Sequence, residues 1–150
     1  MDGREKLITR KRLLALRDQQ ARLAELELAR LVNEVARTED SIRKETQAVK
    51  DLSASIMSTG SRMAFTHLGS TTAVLQHRLN ALRQRLAQQT DELLAAQEHA
   101  QTANREKEAL AKLVSQGEEA ARADDENRQV VELDDLSIRK WMMPPGHGNV

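Results

Sequence analysis

Apolar residues recur at a strict spacing of seven along the first part of the chain: Leu7, Leu14, Ala21, Leu28, Val35, Ile42, Val49 and Ile56. A second ladder steps four and then three: Leu75, Leu79, Leu82, Leu86, Gln89, Leu93, Ala96, Ala100, Ala103, Lys107, Leu110 and Val114. This spacing keeps an apolar seam on one side of a slightly underwound helix, and such a seam must meet another helix. Between the ladders, Thr59-Gly60 through Gly69-Ser70 can reverse the chain. The pattern predicts an all-α fold, a long two-helix antiparallel coiled-coil hairpin with a C-terminal helical overhang. Residues 1–150 form a single domain in this reading, with helices over 3–58 and 71–143, a tip over 59–70 and a disordered tail over 144–150. Asp2 caps the first helix with Glu5 as its capping-box partner. Gly60 is the C′ glycine, Ser70 or Thr71 caps the second helix, and Pro144-Pro145-Gly146 stops it.

The register can be argued further. Antiparallel registers that keep both ladders in contact differ by seven in the sum of paired residue numbers. A break centred near residue 64 selects a sum of 128, which pairs Val49 with Leu79, Ile42 with Leu86, Val35 with Leu93, Leu28 with Ala100 and Leu14 with Val114. The interleaved layer, summing to 127, pairs Leu31 with Ala96, Ala24 with Ala103, and polar Thr38 with polar Gln89. Polar seam residues of this kind fix alignment at some cost in stability. Charge agrees. Arg4, Lys6, Arg10, Lys11, Arg12 and Arg17 crowd the start of the chain, while Glu118, Glu119, Asp124, Asp125 and Glu126 lie where the antiparallel fold brings them opposite. Exposed pairs contribute only about 0–1 kcal/mol each, so they choose orientation more than they supply stability. Lys107 and Gly117 fall on seam positions near the open end, which predicts a looser seam there.

The arms are unequal. At a sum of 128, Gly3 aligns with Asp125, and the second helix continues unpaired for roughly 27 Å at 1.5 Å per residue. This overhang holds Val130, Val131, Leu133, Leu136, Ile138, Trp141, Met142 and Met143. Trp is enriched among interface hot spots and Met adapts to irregular grooves. Val130, Val131, Leu133, Leu136, Ile138, Trp141 and Met142 are therefore the candidate partner-binding residues. The bland alternative is that the segment folds back on its own hairpin or self-associates. Met63, Phe65 and Leu68 in the tip form a second contact point or pack on each other to close the loop.

Composition narrows the function classes. Aromatics are 1% and charged residues 31%, so a thick globular core is hard to fill and helix is favoured. Net charge is zero, which leaves no global field toward nucleic acid or an anionic membrane. The basic N-terminal block is interrupted by Leu7, Leu13, Leu14 and Leu16, so it belongs to an amphipathic helix rather than to a nucleic-acid arm. There is no cysteine, no signal-peptide core and no run of about 18 apolar residues, which fits a cytoplasmic protein without membrane insertion. The four histidines, His67, His77, His99 and His147, have no second ligand at helical spacing, so no metal is expected. No nucleophile–base motif or phosphate-cradling glycine loop is present, so catalytic residues and cofactors are expected to be none. A two-helix rod encloses no substrate, which points away from an enzyme.

Two stretches carry a family resemblance: Leu13-Leu14-Ala15-Leu16-Arg17, and Glu132-Leu133-Asp134-Asp135-Leu136-Ser137-Ile138-Arg139-Lys140-Trp141. With the central break and uneven arms, the chain resembles the stalk proteins of type III export systems, flagellar (FliJ-like) or injectisome (YscO-like). The resemblance implies a non-enzymatic central stalk in the hole of a ring-shaped hexameric export ATPase. Such a stalk promotes ring assembly and activity, binds export chaperones and contacts an export-gate membrane protein. It also implies that the end bearing the overhang enters the ring. A generic coiled-coil scaffold or chaperone-like adaptor is the alternative function. A parallel homodimer of one uninterrupted helix is the alternative architecture, whereas the hairpin is a monomer when isolated.

Overall fold

A computed structural model describes residues 2–60 and 62–142, leaving aside the side chains of residues 59, 63, 64, 65 and 68. Two helices, α1 (Gly3–Thr59) and α2 (Arg62–Met142), account for these residues apart from Asp2 and Gly60. They pack against each other as a helical hairpin. The Asp2 carbonyl accepts from the Lys6 amide at 3.1 Å and opens α1. At the other end Gly60 has φ 56°, the left-handed conformation that closes a helix and that costs a glycine little.

The break is shorter than the spacing of its small residues predicts. Helix α1 runs one residue past Ser58, and α2 begins at Arg62 rather than at residue 71. The expected tip of 59–70 is therefore mostly helix. Thr66 and Thr71 donate their hydroxyls to the carbonyls of Arg62 and His67, four residues back. Thr71 is thus a mid-helix residue and not a cap. Serine and threonine satisfied in this way sit in a helix at little cost. Gly69 is helical with open space around it. Met63, Phe65 and Leu68 have side chains outside the described residues, as do Met143, Pro144, Pro145 and the tail 144–150.

The residues group into two compact units, Gln20–Asn104 and the pair Met1–Gln19 with Arg105–Val150. In the unit of 20–104 the seam is apolar and closely packed. Ala21, Ala24, Leu31, Leu79 and Ala100 are buried, and burying Leu31 or Leu79 contributes about 1.5–3 kcal/mol each. The alanines let the two backbones approach but remove little surface from water. One polar layer interrupts this seam: buried Thr38 donates its hydroxyl to buried Gln89 Oε1 at 2.6 Å. Asn104 donates to Glu25 at 2.8 Å on the flank. Thr38 and Gln89 sum to 127 as the seam register predicts, and the flanking pair Glu25 and Asn104 lies one residue off that layer at 129, so a slip of seven would separate both.

In the unit of 1–19 with 105–150 the seam is thinner. Val114 is its buried apolar residue. Leu7 lies against Gly117, with its Cδ1 3.0 Å from where a β-carbon on that glycine would stand. Lys107, on a seam position, turns outward to Asp18 at 3.3 Å. Arg17 meets Glu106 at 2.8 Å, Lys11 meets Glu118 at 3.1 Å and Arg4 meets Asp125 at 3.7 Å. Basic α1 faces acidic α2 as the charge blocks predict. Among the described residues, no buried side-chain nitrogen or oxygen lacks a hydrogen-bond partner.

Candidate partner-docking site

The pair Arg4–Asp125 marks where α1 gives out alongside α2. Residues 126–142 then continue as helix with no α1 residue left to oppose them, about 25 Å at 1.5 Å per residue. A lone helix of this length is marginal in water, and here it grows out of a helix already nucleated by its seam. Arg139 and Lys140 in the last turn complement the negative end of the helix dipole.

Each predicted site residue is exposed. Val130, Val131, Leu133, Leu136 and Ile138 are between 55% and 64% exposed, Met142 is 80% and Trp141 91%. They do not form a single face. At about 100° per residue, Val131, Ile138 and Met142 share one stripe, Val130 and Trp141 lie roughly a quarter of a turn to one side of it, and Leu133 and Leu136 lie close to the opposite face. Two open grooves run along the stripe. One is lined by Ser137, Ile138, Trp141 and Met142, the other by Asp124, Asn127, Arg128, Val131 and Glu132. Exposed apolar side chains in this density mark a surface built to be covered.

A second exposed apolar group escaped the seam argument. Leu13, Leu16 and Leu113 are 41%, 50% and 45% exposed, on the same flank of the seam by heptad position. The signal lay in plain view as leucines just outside the seam positions, in and opposite the Leu13–Arg17 stretch.

The Arg30 guanidinium bonds Glu27 and Glu34 on one exposed face of α1. That hydrogen bond and the arginine's charge hold the Glu27 carboxyl below its ordinary value. This is an ordinary one-turn ion pair network. Among the described residues, no group of three histidines or carboxylates could hold a metal ion. None of the described helices is long and apolar enough to cross a membrane.

The family described as Flagellar FliJ protein matches residues 11–145. No curated protein and no solved structure matched the chain.

Proposed function

The chain belongs to the FliJ family of flagellar export proteins, and from that premise we propose that it is the non-enzymatic central stalk of the export machinery, gripping a hexameric export ATPase through the free end of α2. The match over residues 11–145 takes in most of α1 and all of the described overhang. The observation that carries the docking assignment is the exposure of Val130, Val131, Leu133, Leu136, Ile138, Trp141 and Met142 on a helix with no mate among the described residues. A single helix is narrow enough to enter a ring, and the paired part of the hairpin is then left outside it.

Export chaperones and an export-gate membrane protein are the other partners in this reading. They would meet the flanks of the hairpin and the end bearing Gly60. The protein then works in the cytoplasm, at the face of a membrane export apparatus, and reaches the membrane through the gate protein and not by insertion. The ring does the chemistry and the stalk supplies contacts that differ from subunit to subunit.

Capture of the cognate ATPase by the full chain and by a chain ending at Asp125 tests the assignment. The full chain is expected to retain the ATPase and raise its rate of ATP hydrolysis, with both effects lost on truncation. Equal recovery by the two chains would remove the docking site. Retained binding without stimulation would favour a scaffold or chaperone-like adaptor.

A further inference from the structure

Helix α2 keeps its seam phase after α1 has ended. The seam positions Leu110, Val114, Gly117 and Ala121 are followed at the same four-three spacing by Asp124, Arg128, Val131, Asp135, Ile138 and Met142. Up to Ala121 these positions are at least half-buried, and beyond it every one is exposed. The stripe of Val131, Ile138 and Met142 is therefore an extension of an interface the protein already uses, with one side missing.

The chemistry of that interface says what the missing side looks like. Where α1 is present, three acidic groups beside the seam on α2 are answered by basic groups on the opposing helix: Asp125 by Arg4, Glu118 by Lys11, Glu106 by Arg17. Charges on the seam itself are answered too, Lys107 by Asp18 on α1 and Asp124 by Arg128 one turn along α2. Past the end of α1, Asp135 holds a seam position and Glu132 and Asp134 flank it, and nothing on α1 extends far enough to meet them. A purely apolar groove would strand Asp135 against hydrocarbon at a cost of several kcal/mol. A helix with basic residues beside its apolar ridge would cover Val131 and Ile138 and meet Asp135 together.

We propose that residues 126–142 are a half-seam whose occupant is a basic-flanked amphipathic helix of a partner protein, seated where α1 would lie if it continued beyond Gly3. This goes beyond the export-ATPase reading, because it fixes the chemistry of the occupant whatever protein supplies it. It also divides the seven docking residues. Val131, Ile138 and Met142 meet the helix, and Leu133 faces elsewhere.

Trp141 is the sole tryptophan and borders the stripe, so its fluorescence reports occupancy. The probe is a synthetic amphipathic peptide of about three heptads, with leucine on the seam and lysine on the flanks, titrated into the full chain beside a glutamate-flanked twin. Expected is a saturable blue shift with the lysine peptide, weakened by salt and absent with the twin. Ile138→Asp and Val131→Asp should each weaken binding about tenfold or more, and Leu133→Asp should leave it unchanged. These sites touch no part of α1, and circular dichroism of each variant checks that the helix persists. Glu132→Lys combined with Asp134→Lys should shift the preference toward the glutamate peptide. No saturable shift, equal binding of both peptides, or indifference to Ile138→Asp would overturn the proposal. So would self-association of the chain through this stripe. A chain that binds the lysine peptide but not the ATPase would keep the half-seam and lose only the export assignment.

Discussion

Thr38 and Gln89 form the polar layer that fixes which residues face each other in the unit of 20–104. Their side chains are buried and bonded at 2.6 Å, so neither is solvated if the other is removed. Thr38→Val keeps the shape and deletes the donor. It should cost about 1–3 kcal/mol in a denaturant melt, because the Gln89 oxygen is left without a partner. Converting both, with Gln89→Leu added, should recover most of that loss and permit slipped alignments, since an apolar layer matches several registers. A single substitution with no effect would mean that the layer is wet. Leu31 and Leu79 contribute by burial alone, whereas Thr38 and Gln89 contribute direction.

At the scale of the helices, the seam was legible in the sequence and the turn was only partly so. Each seam position from Leu14 to Ile56 and from Leu75 to Val114 is buried or half-buried, because a seven-residue repeat leaves a helix one way to hide its leucines. Gly60 was also readable as the point where α1 ends. The start of α2 was not. The density of Ser, Thr and Gly between 59 and 71 resembles a loop, but the hydroxyls of Thr66 and Thr71 are absorbed by the preceding turn. No proline compels an exit from helix, so the chain coils again at once. The two glycines separate these readings. Gly60→Ala should cost about 1–2 kcal/mol because it forces a β-carbon into the left-handed region. Gly69→Ala should gain about 0.5–1 kcal/mol, since that position is helical with open space around it. Thermal melts of both variants check the pair, and a loss at Gly69 would restore the longer tip. The candidate site was legible by subtraction, as apolar residues left over when α1 runs out. Its division around the helix needed the helix phase beyond Asp125.

For the whole molecule, the proposed function rests on an inequality of length. Helix α1 has 57 residues and α2 has 81, and they share one turn at Gly60, so the surplus of α2 must emerge at the open end. That surplus is where the exposed Trp141 and Met142 sit. Membership of the FliJ family gives the surplus a setting in flagellar export. The most direct test of this account is a pair of cysteines at Leu14→Cys and Val114→Cys, in a chain that has no other cysteine. Opposed seam positions bring α-carbons into the range of roughly 5.5–6 Å that a disulfide favours. Oxidation is expected to link the pair within one polypeptide, giving a species of 16.8 kDa that runs faster on a non-reducing gel. Disulfide-linked dimers with no intrachain product would mean that the halves zip between molecules, which would contradict the hairpin and the free end that depends on it.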